Sequence, residues 1–129
     1  MKKLIVLIIL VVFFMTGCST EVTESKMISV NEVNRIIENF ENEENVIIID
    51  VREVDEYEEG HLINSYNVPL SRIDDIKNVE NIALDSKIIV YCRSGNRSKT
   101  AQTRLEELGY TNVYDMGGIS SWPYDVVTD

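Results

Sequence analysis

The stretch Lys87-Ile88-Ile89-Val90-Tyr91-Cys92-Arg93-Ser94-Gly95-Asn96-Arg97-Ser98-Lys99-Thr100 decides how the rest of the chain is read. Its first part is a short β-branched run, the pattern of a strand buried on both faces. Its last part enters a helical segment, Ser98 to Leu108, with Ala101, Leu105 and Leu108 on one side and Gly109 as the stop. Cys92 therefore falls at a strand's C-terminal edge, facing a helix N-terminus, where open α/β sheets bind ligands. Unpaired backbone N–H groups there make an anion cradle, and Gly95 permits the tight turn that lets several amides converge. Arg93, Arg97, Lys99 and Arg104 add positive charge, and residues 92–104 contain no acid. Such a field favours a thiolate at Cys92 and an anionic substrate beside it. A free thiol of pKa about 8.5 needs roughly 2 kcal/mol of preference for its anion to reach about 7. A helix N-terminus supplies about 0.3–1 kcal/mol, rising towards ~2 when partly buried, and loop amides with an arginine add to it.

Working outward, Val46-Ile47-Ile48-Ile49 reads as a second buried strand, Asn112-Val113-Tyr114 as a third, and Tyr66-Asn67-Val68 as a weaker fourth before Pro69. Ser29 and Glu32 have capping-box spacing, with Ile28 and Val33 placed as a hydrophobic staple. Val30, Val33, Ile36, Ile37 and Phe40 then predict an amphipathic helix to about residue 42. Ser71 is the expected N-cap of a further helix with Ile73, Ile76 and Val79 inward, and Glu53 to Glu59 reads as a solvated helix face. Strands alternating with helices imply an α/β fold, a mostly parallel sheet covered on both faces.

The chain has 129 residues, enough for one domain with a core of its own. Twelve basic against 22 acidic side chains give a net charge of −10, which argues against nucleic acid as a partner. Two cysteines make no disulfide scaffold, and a single His speaks against a His-rich metal site, so neither metal nor cofactor is expected. At the N-terminus, Lys2 and Lys3 precede an apolar run from Leu4 to Met15, too short to span a bilayer and patterned as a secretory signal peptide. Met15-Thr16-Gly17-Cys18 resembles the lipobox of bacterial lipoproteins, in which the Cys receives diacylglycerol and becomes the new N-terminus. Residues 1–17 are thus expected to be a signal peptide and 18–26 a lipidated Cys18 with a polar tether. Residues 27–129 would form the domain, exported and lipid-anchored to the bacterial cell membrane. Without Lys2 and Lys3 the charge is −12, so the lipid rather than overall electrostatics would hold the protein there.

Cys92 to Arg97 are accompanied by Asp50-Val51-Arg52-Glu53, Glu56-Tyr57, Gly60-His61, Asn67-Val68-Pro69 and Gly117-Gly118-Ile119 to Trp122. This set, over about residues 28–126, resembles a single rhodanese-like domain of the thiosulfate sulfurtransferase type. The resemblance implies a central sheet of about five mostly parallel strands with helices on both faces. It implies that Cys92 accepts sulfane sulfur as a persulfide from a small anionic donor such as thiosulfate, then passes it to a thiol or cyanide. Arg93, Ser94, Gly95, Asn96, Arg97 and Ser98 would bind the substrate, with Asp50 and Arg52 supporting the loop by hydrogen bonds. His61 is expected to be a structural hydrogen-bonding residue, Gly117-Gly118 to meet a backbone requirement, and Trp122 and Tyr124 to pack the chain's end onto the core. One departure is Leu62-Ile63-Asn64-Ser65, where the family usually has an apolar residue, Pro, Gly and Ala. The alternative reading is a non-enzymatic persulfide carrier or redox module exchanging with a protein thiol. A phosphatase or arsenate reductase ranks lower, because cysteine phosphatases place Arg six residues after the Cys and position 98 is Ser.

Overall fold

The computed structural model describes residues 25–128, so the expected signal peptide and Cys18 lie outside the described residues. Four parallel strands form one sheet in the order β2-β1-β3-β4: β1 Val46–Asp50, β2 Ser65–Asn67, β3 Lys87–Cys92 and β4 Val113–Gly118. The two central strands are those with uninterrupted apolar runs, as burial on both faces requires. Their side chains alternate between two cores. Ile47, Ile49, Ile88, Val90 and Cys92 pack with Ala101 and Leu105 of α3 (Asn96–Glu107) and with Ile73 and Ile76. Val46, Ile48, Ile89 and Tyr91 pack on the other face with Val33 and Ile36 of α1 (Val30–Glu38) and with Leu62. Helix α2 (Val54–Glu59) leaves β1 at the sheet's C-terminal end, the end at which Cys92 lies.

Among the described residues the strand count is four, not about five. At the outer edge of β4, Met27 makes a single parallel bridge with Asp115: the Asp115 N–H donates to the Lys26 carbonyl and the Ile28 N–H to the Asp115 carbonyl. Ser29 then caps α1 at once, its hydroxyl accepting from the Glu32 N–H at 3.2 Å, so the chain turns helical before a fifth strand can extend. The reciprocal half of that capping box is absent, because the Glu32 carboxylate binds Arg35 instead. Helix α1 ends at Glu38, and a 3-10 turn covers Phe40–Asn42.

Leu70–Asn78 is 3-10 rather than α-helical and starts behind Pro69, not at Ser71. Ile73, Ile76 and Val79 recur every three residues, which is the 3-10 repeat. Where the family's glycine would stand, Asn64 takes up φ +65°, a left-handed conformation that Asn tolerates better than most residues. Strand β4 runs on through Asp115, Met116, Gly117 and Gly118, four residues past the stretch that signals it, across a register shift opposite Val90/Tyr91.

Candidate active site

Cys92 is the last residue of β3, and α3 begins four residues later, so Arg93, Ser94 and Gly95 make the whole turn. Gly95 turns it at φ +103°, which aims its N–H at the Cys92 sulfur, 3.1 Å away. The Ser98 hydroxyl lies 3.5 Å from the same sulfur and reaches the Gly95 carbonyl at 3.1 Å. Cys92 is only 1% exposed. Burial pushes its thiol up, but the Ser98 hydroxyl and the backbone N–H groups of Ser98, Gly95 and Ser94 outweigh burial and hold it below the ordinary value. Neutral donors on the loop, rather than arginine side chains, do most of this. Ser98→Ala is expected to raise the pH midpoint of the Cys92 thiolate's ultraviolet absorbance, read in a Cys18→Ser background.

The basic residues do not converge on the sulfur as their spacing suggests. Arg97 turns away to a two-pronged ion pair with Glu56 of α2, at 2.7 and 2.9 Å. Arg104 is spent on Asp74 and Glu107. Arg93 is exposed, and among the described residues its guanidinium has no hydrogen-bond or ion-pair partner. It borders a cleft of about 340 Å³ with Arg52, Glu56, Glu59, Ile119 and Ser120. Ser94 and Asn96 are exposed on the loop's outer surface, with Asn96 as the first residue of α3.

Asp50 and Arg52 form a buried pair, with Nη2 to Oδ2 at 2.7 Å, and Arg52 also donates to the Gly60 carbonyl at 2.6 Å. Neither side chain bonds to residues 92–98, so the expected hydrogen-bonded support of the loop is not what they provide. They brace the end of β1 against the turn after α2, and Asn67 closes the same bend through the carbonyls of Asp50 and Arg52. Arg52 meets the loop only across the shared cleft. His61 is structural: its ring stacks on Tyr57 at 3.6 Å, and its Nδ1 lies 2.8 Å from the Tyr57 carbonyl oxygen.

Glu56, read from sequence as part of a solvated face, is the residue that ties α2 to the loop. It also accepts from the Glu53 N–H at 2.9 Å, as the outer half of a capping box begun by Glu53. The spacing Glu53-x-x-Glu56 ahead of a helix was the available signal. The Arg97 hydrogen bonds, helped by the Glu53 N–H and by the charges of Arg97 and Arg52, overcome burial and draw the Glu56 carboxyl from 4.5 down to about 2. A lowered carboxyl pKa stabilises the folded state fully above about pH 4.5, and the contribution fades as pH falls towards 2. With Glu56 and Arg97 22% and 32% exposed, solvent trims it to about 1–2 kcal/mol. Between pH 7 and pH 3, Glu56→Gln should therefore lose less denaturation free energy than the native chain, by roughly half of that amount or somewhat more. Equal losses in the two proteins would contradict the pairing.

The Gly117-Gly118 pair meets the loop from β4. Gly117 adopts φ +90°. A Cβ on Gly118 would lie 2.4 Å from the Arg93 carbonyl oxygen, and the Ser120 N–H donates to that same oxygen at 3.1 Å. Among the described residues no group of three or more His, Cys, Asp or Glu is placed to hold a metal ion.

A strand, a cysteine and an amide-lined turn into a helix, at the C-terminal end of a parallel sheet, define a thiol-based anion-handling site. The rhodanese-like domain model matches residues 32–124 of the chain, which belongs to the rhodanese-like family. The chain is 30% identical over 79 residues to the thiosulfate sulfurtransferase GlpE of Coxiella burnetii, covering 60% of this chain and 72% of that protein. It spans about three fifths of two further relatives, a mitochondrial protein of Schizosaccharomyces pombe (61% of its length) and YqhL of Bacillus subtilis (59%). Among solved structures, a rhodanese-related protein of Thermoplasma volcanium superposes with a TM-score of 0.63 at 31% identity, covering 81% of this chain and 99% of that one. An Escherichia coli rhodanese solved with anions superposes with a TM-score of 0.58 at 29% identity, covering 65% and 99%.

Proposed function

We propose that this protein is a rhodanese-type sulfurtransferase that moves sulfane sulfur through a persulfide on Cys92, exported and anchored by lipid on Cys18. The observation that carries the reading is the set of loop N–H groups and the Ser98 hydroxyl gathered on the Cys92 sulfur. A thiolate so held attacks the outer sulfur of thiosulfate; the S–S bond breaks and sulfite leaves with the bonding electrons. The outer sulfur remains on Cys92, where the same donors offset its negative charge. A thiol or cyanide then attacks that sulfur and Cys92 departs as the thiolate, so the cycle needs no cofactor. Relatives named thiosulfate sulfurtransferase and an anion-bound E. coli rhodanese support this assignment. Ser98 occupies the position six residues after the cysteine where a phosphatase would place arginine, which favours sulfur over phosphoryl chemistry.

The two loop arginines have different roles. Arg93 attracts the anionic donor, while Arg97, bound to Glu56, fixes the start of α3. Arg93→Ala is expected to raise the KM for thiosulfate about tenfold with little change in kcat, the loss of one charged contact made equally in ground and transition states. A kcat loss at constant KM would assign Arg93 a different role. Steady-state turnover of thiosulfate and cyanide tests the function itself: an enzyme turns over continuously, whereas a carrier module stops after one equivalent.

A further inference from the structure

Strand β4 carries one residue more than β3 pairs with. Val90 stands opposite Asp115, but Tyr91 stands opposite Gly117 and Cys92 opposite Gly118, so Met116 is the extra residue of a β-bulge. Asp115 lies at the base of the bulge, 3% exposed, and its carboxylate accepts from the Gly117 N–H at 2.8 Å. An aspartate that bonds the backbone two residues on closes a local turn, here the one in which Gly117 holds φ +90°. Asp115 is itself fixed from both sides. Val90 pairs with it across the sheet, and at the outer edge its N–H donates to the Lys26 carbonyl while its carbonyl accepts from the Ile28 N–H. Together with Ser94, Gly95 and Asn96 of the cysteine loop, Asp115 lines a cavity of about 420 Å³.

The bulge shapes the wall against which the Cys92 loop is packed. The Ser98 hydroxyl, 3.5 Å from the Cys92 sulfur, is also 3.5 Å from the Gly117 carbonyl oxygen. Gly95, whose N–H points at the sulfur, sits on Gly117: a Cβ on Gly95 would lie 3.7 Å from the Gly117 Cα. Gly118, one residue on, leaves no room for a Cβ beside the Arg93 carbonyl. We propose that Asp115 is a positioning residue for sulfur transfer at Cys92: by accepting from the Gly117 N–H it holds the β4 bulge in the shape that seats Gly117 and Gly118 against the loop, and so keeps the Gly95 N–H and the Ser98 hydroxyl on the sulfur. The proposal rests on the assignment of Cys92 as the sulfur carrier. Without the carboxylate oxygen, the Gly117 N–H loses that acceptor, and the bend at φ +90° is held less firmly. The role belongs to an acceptor oxygen rather than to negative charge, since a negative charge near Cys92 disfavours its thiolate.

The test is the pH midpoint of the Cys92 thiolate's ultraviolet absorbance, read without any sulfur donor in the full chain carrying Cys18→Ser, beside steady-state thiosulfate–cyanide turnover. Asp115→Ala should raise the midpoint by about half a pH unit, through looser donors on the sulfur. It should lower kcat about tenfold with KM little changed, a fraction of the roughly 100-fold loss that a misplacement of about 1 Å brings. Loss of a negative charge would by itself move the midpoint down, so a rise reports the geometry of the donors. Asp115→Asn keeps the acceptor oxygen and should restore the native kcat, with a midpoint at or slightly below the native one. Ile36→Val, which loosens the core on the opposite face of the sheet, should lower the melting temperature and leave both readouts unchanged. Should the alanine chain fail to fold, Asp115→Ser takes its place: the shorter hydroxyl makes the same bond more weakly, so both readouts should move less and in the same direction. A folded alanine or serine chain with native midpoint and kcat would overturn the proposal, as would an asparagine chain as impaired as the alanine one. A native chain that turns over no thiosulfate refutes the sulfur-transfer reading, while the midpoint still decides whether Asp115 places the donors. An active native chain whose midpoint and kcat ignore Asp115→Ala refutes the role of Asp115 alone.

Discussion

Cys92→Ser is expected to fold as the native chain does and to lose thiosulfate turnover by a factor of about 10³ or more. Serine is close in size to cysteine and keeps the contacts to the Gly95 N–H and the Ser98 hydroxyl, so the two cores on the sheet are left intact. Its hydroxyl, however, does not ionise near neutral pH, and the loop donors that bring a thiol below its ordinary pKa fall far short of doing the same for an alcohol. Circular dichroism and thermal unfolding should therefore match the native protein while activity disappears. Residual turnover near the native rate would mean that the reacting group lies elsewhere.

Gly118→Ala is the second large effect, and it acts without touching any group that does chemistry. The added methyl would lie 2.4 Å from the Arg93 carbonyl oxygen and 2.9 Å from both the Arg93 carbonyl carbon and the Ser94 Cα. All three are backbone atoms, so no flexible side chain can swing away. Either β4 or the loop must move, and overpacking of this kind costs about 1–3 kcal/mol. Because the loop amides are useful only at hydrogen-bond distance from the sulfur, a shift of about 1 Å should also lower kcat by about 100-fold. Gly117→Ala makes a useful contrast. No atom lies within 4 Å of its would-be Cβ, but φ is +90°, so it should lose stability through backbone strain with a smaller effect on turnover. A Gly118→Ala protein with native stability and kcat would show that β4 does not hold the loop in place.

What could be read from the chain, and what could not, follows from how far apart the interacting residues lie. The two central strands, α1 and α3 were legible because their patterns are local: β-branched runs, a Ser29 cap and a helical apolar stripe. Cys92 and its turn were legible for the same reason. The residues that finish the site come from elsewhere. Glu56 reaches Arg97 across 41 positions, and the Glu53-x-x-Glu56 capping spacing singles out its carboxylate without saying which arginine it meets. The four basic residues of 93–104 looked like one field because they are close in sequence. In three dimensions α3 carries Arg104 to Asp74 and turns Arg97 towards α2, leaving Arg93 and Lys99 without ion-pair partners among the described residues. Asp50 and Arg52 were expected to support the cysteine loop by hydrogen bonds, but they are buried and Arg52 reaches the Gly60 turn instead. The fifth strand was lost because a helix cap at Ser29 follows Met27 within two residues, a conflict between neighbouring signals that only packing resolves.

The proposed sulfur transfer requires that sulfur ride on Cys92. Mass spectrometry of the purified chain after brief exposure to thiosulfate, with peptide mapping, tests it most directly. A Cys92 peptide heavier by one sulfur atom is expected, discharged by cyanide and absent in Cys92→Ser. A Cys92 peptide that never gains sulfur from thiosulfate or any persulfide donor, in a protein that is folded and reduced, would contradict it.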